Sequence, residues 1–107
     1  MNLPDFGKMK ELMSQAREMQ AQMEQKLAAT IVEAESGGGM VQVRMNGKKE
    51  VLRLKIEPTA LSASAGDIEL LEDLIAAAIN EAGRRADEAV KSSVAGLMSG
   101  LNLPGLE

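Results

Sequence analysis

Across residues 30–57 apolar side chains recur at every second position, the spacing of a strand with one face buried and the other in water. Val41, Val43 and Met45 share one face, and Gln42 and Arg44 share the other. Further on, Leu52, Leu54 and Ile56 read as a core face, opposite Val51, Arg53, Lys55 and Glu57. Asn46-Gly47 predicts a two-residue type I′ hairpin between these runs, because both residues tolerate the positive φ that such a turn demands. Gly37-Gly38-Gly39 bends the chain between a first strand, at residues 30–36, and the second. Three antiparallel strands are expected.

On either side the apolar period lengthens to that of a helix. Within residues 5–29, Met9, Leu12, Ala16, Met19 and Met23 form one seam, widened by Met13 and Leu27 and interrupted by Lys26. Pro4 suits a first helical turn, with Asn2 or Asp5 available as cap. Pro58 ends the third strand, and residues 59–66 read as a loop of small residues with Leu61 as its anchor. Asp67 caps a second helix at about residues 67–97, with Glu69, Glu72 and Asp73 at the positive end of its dipole. Its apolar face runs Ile68, Leu71, Ile75, Ala78, Ala82, Ala86, Ala89 and Ser93, backed by Leu74, Ile79 and Val90. Two glycines and a proline make residues 98–107 a flexible tail.

A helix of that length spans about 45 Å, whereas a compact chain of this size has a radius of gyration near 13 Å. The helix must overhang its own core. Together with the Met seam, it leaves apolar surface that three strands cannot cover, which predicts an intertwined homodimer. Met9, Leu12, Met19, Met23, Ile75, Ala78, Ala82 and Ala86 are the interface candidates.

Composition narrows the chemistry. The 107 residues form a single domain with no cysteine and no histidine, which removes disulfides, thiolate or imidazole metal sites, catalytic triads and a histidine base. No cofactor and no small-molecule substrate are expected. The longest apolar run, residues 74–79, is far short of the roughly 20 residues of a membrane span, so a cytoplasmic protein is expected. A formal charge of -4 means that any nucleic-acid contact must come from a local patch rather than bulk charge.

One such patch is visible. Arg44, Lys48, Lys49, Arg53 and Lys55 stand against Glu50 alone, a local balance of +4. It reads either as a phosphate-contacting surface or as a solvated sheet face whose edge lysines discourage aggregation. Arg84 and Arg85 have Glu81, Asp87 and Glu88 at ion-pair spacing for one or both of them, and Lys8, Lys10 and Arg17 are interleaved with Glu11 and Glu18. No aromatic accompanies any of these clusters, which disfavours stacking of unpaired bases and favours duplex backbone contact. The triple glycine lacks the Gly-Lys-Ser/Thr of a phosphate loop. Glu33 and Glu35 share a strand face, but nothing completes a cation shell around them.

Four segments together resemble the YbaB/EbfC family of bacterial nucleoid-associated proteins: Met13-Ser14-Gln15-Ala16-Arg17-Glu18-Met19-Gln20, Gly39-Met40-Val41-Gln42-Val43-Arg44-Met45-Asn46-Gly47, Leu71-Glu72-Asp73-Leu74-Ile75-Ala76-Ala77-Ala78-Ile79-Asn80, and the tail. Ile56-Glu57-Pro58 with Leu61 fits as well. The resemblance implies an α+β fold, an α-β-β-β-α protomer whose three-stranded antiparallel sheet is flanked by two long helices. It also implies a nonenzymatic homodimer on the nucleoid that binds double-stranded DNA between projecting helices. Lys8, Lys10, Arg17, Arg84 and Lys91 thereby join the hairpin patch as DNA-binding candidates. The chain departs from the family at Ser14, where relatives often carry lysine, and in a longer loop at residues 62–66. A protein-protein adaptor with weak or no DNA binding is the alternative, favoured by the acidic balance.

Overall fold

The computed structural model describes residues 5–101. Asn2 as a cap, Pro4 as a first-turn residue and the tail over residues 102–107 lie outside the described residues. Helix α1, Phe6–Ala29, opens where Asp5 Oδ1 accepts a hydrogen bond from the Gly7 amide at 3.0 Å. It closes at Thr30, whose amide and hydroxyl both donate to the Lys26 carbonyl. Strands β1 (Ile31–Ser36), β2 (Val41–Asn46) and β3 (Val51–Ile56) form an antiparallel sheet in the order β1-β2-β3. Helices α2 (Pro58–Ala63) and α3 (Ile68–Leu101) complete an α+β chain.

The core lies between α3 and the sheet. Ala78, Ala82 and Ala86, four residues apart and therefore on one helix face, are fully buried against Ala34, Val41, Val43 and Met45. Leu74, Ile75 and Ile79 flank this row. A methyl is the whole alanine side chain, so the helix backbone comes close to the strands. The three alanines belong to the protomer's own core, which leaves them no surface for a dimer interface.

Helix α3 lies over β1 and β2 and leaves β3 uncovered. Leu52 and Leu54, expected in the core, are therefore 49% and 42% exposed, and Ile56 is half-buried. A bulge adds to this: Arg44 pairs with Arg53, but Met45 pairs with Val51, so Leu52 is the extra residue. Val51 consequently stands opposite buried Met45 instead of continuing the outward row of Arg53 and Lys55.

Two turns differ from expectation. The Asn46-Gly47 hairpin is a three-residue loop, Gly47-Lys48-Lys49, in which the Lys49 amide donates to the Asn46 carbonyl and the Asn46 amide to the Glu50 carbonyl. The left-handed position is Lys49, at φ 64°, and not glycine. Buried Asn46 holds the loop, its Oδ1 accepting from the Lys48 and Glu50 amides and its Nδ2 donating to Glu50 Oε1. The link expected to be a loop contains α2. Pro58 takes its first turn, and Ala60 and Ser64 are its buried anchors, whereas Leu61 is 58% exposed. The triple glycine does bend the chain, with all three residues at positive φ, and a Cβ on Gly37 would lie 3.0 Å from Leu74 Cδ2.

Asp67 caps α3 as expected, its Oδ1 accepting from the Leu70 amide. The helix then continues through Ser99 and Gly100 to Leu101, past the expected end near residue 97. At about 51 Å it is longer than the core it covers. Helix α1 buries no residue and only Leu27 is half-buried, so it contributes no core of its own. The radius of gyration is 21.2 Å and the extents are 75 × 33 × 20 Å, the dimensions of a chain with projecting arms.

Helix α1 meets the sheet at Gly47, whose amide donates to the Leu27 carbonyl at 2.9 Å. A Cβ on Gly47 would lie 2.8 Å from that oxygen, so the end of α1 could not keep its place, and 3.1 Å from Val90 Cγ2, a side chain that would have to give by a few tenths of an ångström. Gly47→Ala is expected to destabilise the fold by roughly 1–3 kcal/mol through overpacking. A lowered urea midpoint with an unchanged m-value checks this.

Candidate nucleic-acid interface

Register aligns the outward sheet face in two rows, Glu33-Arg44-Arg53 and Glu35-Gln42-Lys55. The lysines of the 46–50 hairpin lie at one end of the sheet. Helix α1 leaves from that end, because its last turn rests on Gly47, and α3 passes it at Asp87 and Val90 before running on to Leu101. The opposite end is acidic. There Ser36 Oγ donates to the Leu74 carbonyl, which places the first turns of α3, with Asp67, Glu69, Glu72 and Asp73, beside the triple glycine.

The fold brings carboxylates to several of the candidate cations. Glu33 Oε1 accepts from Arg44 at 2.8 Å, Asp87 pairs with Lys49 at 2.8 Å, and Glu57 pairs with Lys55 at 3.2 Å. Arg84 is paired with Glu81. In each of these pairs both side chains keep at least about a third of their surface in solvent, so each pair is worth about 0–1 kcal/mol. Lys8, Lys10, Arg17, Lys48, Arg53 and Lys91 make no ion pair among the described residues. The +4 segment is therefore partly neutralised, by Glu33 and Asp87 from other elements and by Glu57 just past the end of β3, and the cations without an ion pair among the described residues distribute over α1, the hairpin, β3 and α3.

Arg85 is the residue that sequence reasoning left as surface pairing alone. It reaches Glu81 at 3.4 Å, and its Nη1 also donates to the Glu33 carbonyl at 2.6 Å. That bond carries a guanidinium from α3 to the edge strand β1. Its place in the chain, next to buried Ala86, is the signal: a side chain at the margin of the buried row can wrap the sheet edge.

Among the described residues no group of His, Cys, Asp and Glu is arranged to hold a metal ion, and no helix is long and apolar enough to cross a membrane. The arrangement is that of a small sheet-and-helix protein with charged projecting helices. The YbaB/EbfC DNA-binding family model matches residues 6–101, and the chain belongs to that family. It is 64% identical over 100 residues to a nucleoid-associated protein of Acidobacterium capsulatum, covering 91% of this chain and 93% of the relative. A nucleoid-associated protein of Legionella pneumophila (strain Corby) is 47% identical over 96 residues, covering 87% of this chain and 83% of the relative. The crystal structure of an uncharacterized protein from Helicobacter pylori superposes with a TM-score of 0.67 at 28% identity, covering 90% of this chain and 99% of that one.

Arg84 donates to Glu81 Oε2 from Nε at 3.0 Å and from Nη2 at 2.6 Å. These hydrogen bonds first, then the charge of Arg84, hold the Glu81 carboxyl below its ordinary value of 4.5; desolvation opposes them, and Arg85 adds lesser lowering effects through its charge and its hydrogen bond. A depressed carboxylate pKa contributes stability above the unfolded value, and that contribution is lost as pH falls through the folded value. In Arg84→Gln the Glu81 pKa is expected to rise back toward 4.5. A carboxyl-carbon NMR titration of both proteins below neutral pH checks the direction.

Proposed function

We propose that this chain is a nonenzymatic, homodimeric, nucleoid-associated protein that binds duplex DNA through its phosphate backbone and thereby influences nucleoid organisation and gene expression. The observation that carries the reading is a set of cations without an ion pair among the described residues of an otherwise acidic chain: Lys8, Lys10 and Arg17 toward the free end of α1, with Lys26 in its last turn, Lys48 on the hairpin, Arg53 on β3 and Lys91 on α3. Membership of a DNA-binding family, and relatives named for the nucleoid, support it. Arg44, Lys49, Lys55 and Arg84 serve as secondary contacts, available when phosphate replaces their carboxylates.

The dimer follows from uncovered apolar surface. Leu52 and Leu54 on β3, and Met9, Leu12, Met19 and Met23 on α1, are all at least 41% exposed. A partner protomer supplies the cover that α3 gives to β1 and β2. Half-buried Ile75 flanks the core and contributes at its margin. The same exposed Met seam is what favours the rival reading, an adaptor that docks another protein on α1.

Static light scattering at micromolar concentration is expected to return twice the 11.4 kDa chain mass. Leu54→Asp is expected to shift it toward the monomer. A monomeric wild type would exclude the dimer.

Fluorescence anisotropy of a labelled duplex of about 30 base pairs is expected to show saturable binding. Neutralisation of four to six phosphates gives a slope of log K against log salt of about -3.6 to -5.4. Replacing Lys8, Lys10 and Arg17 together by glutamine is expected to flatten that slope by about 2.7 for one α1 arm in contact. No binding at low salt would transfer the proposal to the adaptor.

A further inference from the structure

Asn46-Gly47 is the chain's one asparagine followed by glycine, the others standing before leucine or glutamate. The dipeptide carries a latent reaction. A backbone nitrogen that attacks the side-chain carbonyl carbon of the preceding asparagine closes a cyclic imide, and glycine permits the approach best because it has no side chain to obstruct it. The Gly47 nitrogen forms a bond to Asn46 Cγ and gives up its proton to solvent. The Cγ–Nδ2 bond breaks, Nδ2 leaves as ammonia, and water opens the imide to an aspartate or an isoaspartate at position 46. The net change converts an amide and a water to a carboxylate and ammonium, so no further reactant is needed.

The fold supplies one half of this chemistry and withholds the other. Asn46 Oδ1 accepts from the Lys48 amide at 3.0 Å and from the Glu50 amide at 3.1 Å. Two N–H donors on the oxygen that takes up negative charge as Cγ is attacked are an arrangement that stabilises such an intermediate. Both donors belong to the hairpin itself, so they do not depend on α1. The nucleophile does. The Gly47 amide donates to the Leu27 carbonyl at 2.9 Å, in the last turn of α1, and a nitrogen held in this way keeps both its proton and its direction. Asn46 is only 3% exposed, which keeps out the water that the second step consumes. Yet α1 buries no residue, and Leu27 is only half-buried. An element with so little burial opens at a lower free energy than the core.

We propose that Asn46 is a self-modifying deamidation site and that the seated end of α1 is its guard. While the last turn of α1 rests on Gly47, the site is silent. When that turn lifts, the Gly47 nitrogen is released beside a carbonyl already bound by two amides, and the imide forms. The product does not revert. A carboxylate at position 46 faces Glu50 without the donor that Nδ2 provided, in a place where an unpaired charge is costly. An isoaspartate also lengthens the backbone by a carbon just before Gly47, which moves the Gly47 amide off the Leu27 carbonyl. A transient release of α1 thereby becomes permanent, and Lys48 and Lys49 lose the clamp that shapes their loop. Neither DNA nor a second protomer takes part.

The test is a time course of deamidation on the full chain at neutral pH, read as the gain of a single mass unit in the tryptic peptide of residues 45–48. Hydrogen exchange of the Gly47 amide is followed in parallel. Wild type is compared with Leu27→Ala, which weakens the seat of α1, and with Val41→Ala, which weakens the core from the other end of β2. Opening is fast relative to a slow covalent step, so the rate follows the open population. Folded wild type is expected to deamidate far more slowly than the same chain in denaturing urea. Leu27→Ala is expected to speed both deamidation and Gly47 exchange by roughly 5–30-fold. Val41→Ala is expected to lower the urea midpoint and leave the deamidation rate at the wild-type value.

Acceleration in both variants in proportion to their urea midpoints would route the reaction through global unfolding and overturn α1 as the guard. Equal rates in folded and urea-unfolded wild type would overturn any guard. Faster Gly47 exchange without faster deamidation would show that the Leu27 bond does not restrain the reaction. Should Leu27→Ala fail to fold, wild type in urea below its unfolding transition gives the same comparison: exchange and deamidation rising together support the proposal, and exchange rising alone overturns it.

Discussion

The close approach of α3 to the sheet is the constraint on which the rest of the molecule depends. It is set by Ala78, Ala82 and Ala86, which bring the helix backbone down onto Ala34, Val41, Val43 and Met45. Larger side chains in that row would lift the helix and open voids that a protein interior does not tolerate. A helix seated this closely is also seated narrowly. It covers two strands, and the third keeps its leucines in water. The same packing that closes the core therefore creates the apolar surface from which the dimer is argued.

Seating α3 also decides which cations are free. Once the helix is docked, Asp87 faces Lys49 across the hairpin end, and Arg85 is drawn to the Glu33 carbonyl. Arg84 and Arg85 share Glu81 and leave Asp87 to the hairpin lysine. Helix α1, by contrast, touches the sheet mainly at its last turn, so Lys8, Lys10 and Arg17 meet no carboxylate from elsewhere in the fold. Their freedom is a product of the projection of α1.

What could be read from the residues alone divides along the range of the interactions involved. The alternation in β2, the caps at Asp5 and Asp67 and the resemblance to the family are local or sequential, and they were legible. The burial of β3 was not, because alternation marks a face as apolar without saying whether anything covers it. The hairpin misled for a related reason: Asn46-Gly47 fits a two-residue turn, but Gly47 is required for the approach of Leu27, and the left-handed residue falls at Lys49. Helix α2 was hidden by serines and a glycine that read as loop, although Ala60 and Ser64 bury themselves at helical spacing. Of the candidate site, the identities of the cations were legible and the pairing of Arg44 and Lys49 was not, since Glu33 and Asp87 reach them from other elements.

The overall charge of -4 does not oppose a DNA-binding reading once the distribution is considered. Asp67, Glu69, Glu72 and Asp73 gather at the triple-glycine end of the sheet, whereas Lys48 and Lys49 occupy the hairpin end from which α1 departs. A net charge acts at long range, and at physiological salt its reach is only about 8 Å. A duplex approaching within that distance of the hairpin end meets the local excess of lysine and arginine, with the acidic turns of α3 at the far end of the sheet. On the DNA-binding reading proposed above, the segregation has a directional consequence: repulsion at one end and attraction at the other would orient the protein on a polyanion, and uniform positive charge would not.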